Sequence, residues 1–221
     1  MIEKLKKISK KHRAISNFKL RRIIFHVCLG FVIMLLARYD LVLTKRLLLA
    51  AIIVGIIISM ISLRVKIPFI YFMLKKFENS RYLKKFPGKS ALFFIAGCLL
   101  SLKLFSPLIA MASIAILTFG DPFSYVVSHF SKKRYKKPKN VFKNIYGTLA
   151  GTAVSFVVSS FFIYWIYALV ASFIAMLVES FIINFGDDAL DDNLLVPLVA
   201  GTVIYLLIRV NFLERLGSLF Y

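Results

Sequence analysis

The chain has 221 residues, 60% of them apolar and 15% aromatic, and a mean hydropathy of +0.81, which excludes a soluble domain of this size. Its 30 Lys and Arg against 10 Asp and Glu give a net charge of +20, but the cations fall in three blocks between apolar runs, so they read as membrane topology and not as a nucleic-acid surface. The two cysteines, Cys28 and Cys98, both lie inside apolar runs and support neither a disulfide framework nor a thiolate metal site.

A helix crosses the hydrocarbon core with about 20 apolar residues, somewhat fewer where charged ends snorkel. Residues 1–22 carry nine cations and read as a basic cytoplasmic segment. The run that follows lacks a small-residue cleavage pattern, so it reads as a retained first span, Ile23 to Ala37, with Arg22 and Arg38 at its rims. The second span is Leu47 to Leu63. Residues 66–86 place Ile67, Ile70, Met73, Leu74 and Phe77 at helical spacing beside Lys75, Lys76, Lys84 and Lys85. That is the pattern of an interfacial amphipathic helix, serving either as an anchor or as a gate for lipid access.

The third span is Ser90 to Phe105. The fourth begins at Pro107, meets Gly120-Asp121-Pro122 and resumes from Phe123 to Phe130, which predicts a helix broken at that tripeptide. From Ile145 to Phe185 there is one charge, Glu179, in 41 residues, enough to cross twice. Tyr164, Trp165 and Tyr167 mark an interfacial turn between the fifth and sixth spans. The seventh runs from Leu194 to Phe212, with Pro197 in its first turn. The expected fold is therefore an all-α polytopic membrane protein with about seven transmembrane helices. A single transmembrane catalytic domain occupies residues 23–213 and a short tail residues 214–221.

Orientation follows from the cations. Residues 1–22, 64–89 and 131–143 are alternate connections and together carry 24 of the 30, which places them and the N-terminus in the cytoplasm. The chain thus reads as an integral protein of the cell membrane.

An ionised acid within an apolar run is costly unless it is paired, metal-bound or facing a wet cavity. Asp121 and Glu179 are the two such acids, and Asp187, Asp188, Asp191 and Asp192 fall on the same side. Asp121 beside a proline is also common turn chemistry, and Glu179 in a salt bridge is the structural alternative. A metal shared by Asp121 and Glu179 is the sharper reading. Carboxylate oxygens with no cysteine or histidine cluster suit Mg²⁺, which is ordinarily shared with nucleotide phosphates; His12, His26 and His129 are not spaced as a zinc site. A helix break would make Asp121 an N-cap and Pro122 the first helical residue, aiming free N–H groups at an anion. Lys143 and Lys139 lie nearest the fifth span and are the candidates for phosphate. Lys132, Lys133, Arg134, Lys136 and Lys137 read as topological or lipid-headgroup charges. Gly147 and Gly151 form G-x-x-x-G, a pattern for close helix contact. The sequence contains no Walker loop, dinucleotide fingerprint or Ser-His-Asp arrangement.

These residues resemble the CTP-dependent polyprenol kinase family, which comprises dolichol kinase, phytol kinase and CTP-dependent diacylglycerol kinase. Gly120-Asp121 followed by Ser124 and Ser128 is similar to the family's D-x-x-A-x-x-x-G-x-x-x-G. Lys143-Asn144-Ile145-Tyr146-Gly147 is similar to K-[ST]-x-E-G. Glu179 followed by Asp191-Asp192-Asn193-Leu194-Leu195-Val196-Pro197 is similar to the family's E and D-N-L-[TL]-V-P, the most specific of these blocks. Arg22 and His26, one turn apart, resemble an Arg and His near the family's N-terminus. Tyr146 stands in place of the family's Glu, and Ser128 and Lys132 in place of glycines.

The resemblance implies a membrane-embedded kinase that transfers the γ-phosphoryl group of CTP to a lipid alcohol on the cytoplasmic side. It implies Mg²⁺ on Asp121, Glu179 and Asp192, nucleotide contacts from Lys143, Lys139, Asn193, Ser124, Ser128 and Gly147, and lipid or phosphate contacts from Arg22 and His26. The related cytidylyltransferases that make CDP-lipids share the first two blocks, but their S-x-x-K-R and H-G-G-x-x-D-R patterns are missing here. A small transporter is a further alternative, since broken helices and embedded acids also build coupling sites.

Overall fold

The computed structural model describes residues 17–64, 86–131, 145–182 and 191–210. These form seven helices and, among the described residues, no strand: α1 (Asn17–Tyr39), α2 (Leu41–Arg64), α3 (Lys89–Leu104), α4 (Pro107–Ser131), α5 (Ile145–Ser159), α6 (Trp165–Ile182) and α7 (Asp192–Arg209). By length and composition α1, α2, α4 and α7 can each cross a membrane, and α5 and α6 contain shorter apolar helices. The expected amphipathic helix at 66–86 falls outside the described residues but for its last position, Phe86.

The helix ends follow local chemistry. A single residue, Asp40, separates α1 from α2, and its Oδ1 accepts hydrogen bonds from the N–H groups of Val42 (2.8 Å) and Leu43 (2.9 Å). This N-cap starts α2 six residues before the expected Leu47 and carries Lys45 and Arg46 onto the helix. Gly88, ahead of α3, has φ 81°, a left-handed conformation that disfavours a side chain. Pro107 is the first residue of α4, where its missing N–H costs nothing. The α5–α6 connection at 160–164 falls where the interfacial aromatics predicted it, with Tyr164 and Trp165 both exposed.

Contacts between helices give their directions. Gly147, Gly151 and Ser155 of α5 meet, in turn, Ser128, Ser124 and Gly120 of α4, so these two run antiparallel. Ser159 of α5 meets Ser172 of α6, while Met176, one turn on, packs at Gly120 and Gly151; α6 therefore runs parallel to α4. Gly97 and Phe105 at the two ends of the α3 contact meet Asn193 and Gly201 of α7, so α3 and α7 are parallel. The starts of α3, α5 and α7 and the ends of α4 and α6 consequently share one end of the bundle.

Helix α4 is the centre. Seventy-two per cent of its span is buried against 11% for α2, and every residue from Ala112 to Thr118 is inaccessible. A helix buried all round is a core helix, and one apolar all round yet exposed, like α2, faces lipid. Lipid tails are as apolar as leucine, so contact between spans depends on close packing rather than on burial from water. The small residues of α5 supply it: its buried face is Gly147, Thr148, Gly151, Thr152, Ser155 and Ser159.

The expected break in α4 is absent. The helix runs unbroken from Pro107 to Ser131 with Pro122 inside it, and Gly120 does not adopt a positive φ. Pro122 removes the one N–H that would have gone to the Thr118 carbonyl, a loss that membrane helices tolerate when neighbours hold them. Here α5 and α6 clamp the position, with Ser155 and Met176 both against Gly120. Asp121 is thus an interior helical residue and not an N-cap, and the anion seat expected from a helix start at Pro122 does not exist. Pro197 is also displaced from expectation. Helix α7 begins at Asp192, which puts Pro197 in its second turn and leaves the Asn193 carbonyl without its helical donor; that oxygen faces Gly97 of α3.

Candidate functional site at one end of the bundle

The described candidate residues gather at the end where α3, α5 and α7 begin, in two groups on helices that touch α4. The first group lies between α4, α5 and α6. Ser124 and Ser128 are buried near the end of α4, and Glu179 of α6 is 1% exposed. The Ser124 hydroxyl donates to Glu179 Oε1 at 3.3 Å. Gly147 of α5 packs directly on the Ser128 hydroxyl and the Ser124 carbonyl, so it closes this group by its lack of a side chain. A Cβ at Gly151 would stand 2.9 Å from the Ser124 Cβ and 2.8 Å from Met176 Sδ. The helix-contact reading of the glycine pair is therefore what the geometry provides.

The second group joins α1, α3 and α7. Asp191 caps α7, its Oδ1 accepting from the Asn193 backbone N–H at 3.2 Å and from the Asn193 amide Nδ2 at 2.7 Å. Asp192 Oδ1 accepts from the same N–H at 2.9 Å. Asn193 is buried, so its amide orientation is fixed by Asp191. The His26 ring of α1 stands edge-on to Phe94 of α3, with centroids 4.1 Å apart, and both Arg22 and Asp192 act electrostatically on it. His26, which the resemblance pairs with Arg22 one turn away, thus stands within electrostatic range of Asp192 at the start of α7.

Asp191 lies just ahead of the α7 span. Burial, and next the neighbouring Asp192 charge, push its carboxyl up to about 6 against the opposing pull of the Asn193 hydrogen bonds. Sequence reasoning passed over this residue in favour of Asp192. An Asp two residues before an Asn, at the start of an apolar run, is an N-terminal signal that would have found it.

Asp121 sits half-buried on α4, one turn before Tyr125. Lys139 and Lys143 fall outside the described residues. Among the described residues, no three His, Cys, Asp or Glu side chains converge as a ready-made metal cage. Besides the imidazoles of His26 and His129, the candidate donors at this end are oxygens, from Asp121, Ser124, Glu179, Asp191, Asp192 and Asn193. Such a set suits Mg²⁺, which needs only one or two carboxylates when phosphates and waters complete its shell. No protein-family model, curated protein sequence or solved structure matches this chain.

Proposed function

We propose that the chain is a membrane-embedded lipid-alcohol kinase that uses CTP, crossing the cell membrane about seven times with its N-terminus in the cytoplasm. One observation carries this reading: the acids and polar side chains chosen from sequence, apart from the two lysines beyond the described residues, collect at one end of the bundle. That end is also where the cation-rich stretches join the helices, before α1, before α3 and after α4. Acids and cations at one membrane surface are what a nucleotide-phosphate site at the cytoplasmic face needs.

Phosphoryl transfer needs positioning and charge neutralisation more than covalent chemistry. One or two of Asp121, Glu179 and Asp192 would hold Mg²⁺, which, when bound with the nucleotide, would offset the charge of the phosphates. Ser124 orients Glu179. Asp191 fixes the Asn193 amide, and Lys143 and Lys139 are the proposed phosphate contacts. The acceptor arrives laterally from the bilayer, because α1 and α2 present apolar faces outward.

The test is to supply purified protein with Mg²⁺, labelled CTP and a panel of lipid alcohols. A phosphorylated lipid and CDP are expected. A CDP-lipid with pyrophosphate would assign the same residues to a cytidylyltransferase. Nucleotide-independent uptake in proteoliposomes would assign them to a transporter, although the broken helix that motivated that reading is not there.

A further inference from the structure

The end of the bundle opposite the acids has a charge pattern of its own. Helix α1 sets out from the acidic end, where His26 packs on Phe94 near the start of α3, so the turn at Asp40 and the start of α2 lie at the far end. Helix α2 then returns antiparallel to α3, with Gly55 packed on Leu92. Lys45 is ten residues before Gly55 and Lys103 eleven after Leu92, so at a rise of about 1.5 Å per residue each stands about 15 Å from that contact, at the same level. Both lie on the facing sides of the pair. Lys45 shares a helical face with the buried Leu48, and Lys103 shares one with the buried Leu92 and Leu99.

Two ammonium groups therefore converge at the mouth of the α2–α3 groove, Lys45 half-buried and Lys103 exposed. Like charges so placed repel. The acid at this end among the described residues is Asp40, whose Oδ1 is taken up by the Val42 and Leu43 N–H groups, and neither lysine forms an ion pair among the described residues. One turn further into the bundle, Leu49 of α2 and Leu100 of α3 lie open beneath the two lysines. Each wall of the groove thus carries a cation above an exposed apolar side chain.

We propose that Lys45 and Lys103 together hold the phosphate of an anionic phospholipid in the leaflet opposite the acidic site, with its acyl chain on Leu49 and Leu100. The phosphate oxygens accept from both ammonium groups and offset their repulsion, whereas a zwitterionic headgroup brings a further cation to the same place. The two leucines select a lipid over a free phosphate, which would leave them as they are. Arg209, at the same end on α7, is held instead by Tyr205: its Nε donates to the phenol oxygen at 3.0 Å and its guanidinium lies over the ring. The site does not depend on the nucleotide reading of the other end.

The experiment uses the full chain in phosphatidylcholine nanodiscs and two photoreactive probes with the same diazirine-bearing acyl chains, one a phosphatidylglycerol and one a phosphatidylcholine. The anionic probe should label the segments around Leu49 and Leu100 at least about fivefold more than the zwitterionic one, the gain of one cation near a membrane anion. Lys45→Gln and Lys103→Gln should each lower that ratio, and Lys103→Glu, which gives Lys45 an acidic neighbour, should abolish it. Arg209→Gln should leave it unchanged. Equal labelling by the two probes in the wild type, or a ratio that survives Lys103→Glu, would overturn the proposal. Millimolar inorganic phosphate should lower the ratio no more than sodium chloride of the same ionic strength; a larger loss would assign the lysines to a free anion and overturn the lipid. The wild-type ratio and the phosphate comparison decide the matter if a variant does not fold.

Discussion

The half-buried Asp191 and the buried Glu179 show how differently two acids are handled in this chain. Asp191 is raised from an ordinary 3.8 to about 6, so the folded protein binds its proton more tightly than the unfolded chain does. The stability that the protonated form confers is complete below about 3.8 and is lost as pH rises through about 6. In metal-free buffer the melting temperature should therefore fall between those values by more in the wild type than in Asp191→Asn; equal slopes would contradict this. Asp191→Ala should also lose about 1–3 kcal/mol, because it removes the cap and strands the buried Asn193 amide. For Glu179 the contrast is between packing and chemistry. Glu179→Gln keeps the shape and the Oε1 acceptor for Ser124, so its melting temperature should stay within a few degrees, while lipid phosphorylation should drop on the order of 10²-fold. A collapse in stability would mean that the carboxylate is there to hold the helices.

Element boundaries were legible wherever a local rule acts alone. The tight turn at Tyr164 and Trp165 and the start of α4 at Pro107 follow from interfacial aromatics and from proline at a first helical turn. The continuity of α4 was not legible, because Gly-Asp-Pro carries a local signal for a break that long-range contacts override. Ser155 and Met176 press on Gly120 from two other helices, and no sequence window contains all three. Those contacts also give the element-scale prediction. Gly151→Val forces a side chain into Met176 and Ser124, so it should destabilise the chain by about 1–3 kcal/mol. Gly55, whose nearest contact is the flexible end of Leu92, should tolerate alanine better. Thermal unfolding in detergent compares the two, and the reverse order would show that α4 and α5 are not so tightly joined.

At the scale of the whole molecule, the cation count and the antiparallel contacts are independent routes to the same arrangement, in which one end of the bundle carries the charge. Composition made the helical membrane class readable, and four helices have the length and composition to cross. The gathering of His26, Asp192, Ser124 and Glu179 at one end was readable only through the assumption that seven runs alternate. In a chain lacking Cys28 and Cys98, cysteines placed at Ser106 and at Lys89 should react with an impermeant thiol reagent from opposite faces of sealed vesicles. Reaction from the same face would remove the topology on which the site depends. The proposed activity is tested most directly by phosphate transfer from CTP, ATP and UTP to a lipid-alcohol panel, comparing wild type with Asp121→Asn. Phosphorylated lipid and CDP are expected from the wild type, preferentially with CTP, and none from a folded Asp121→Asn; no phosphorylated lipid from the wild type with any nucleotide would refute a lipid-alcohol kinase.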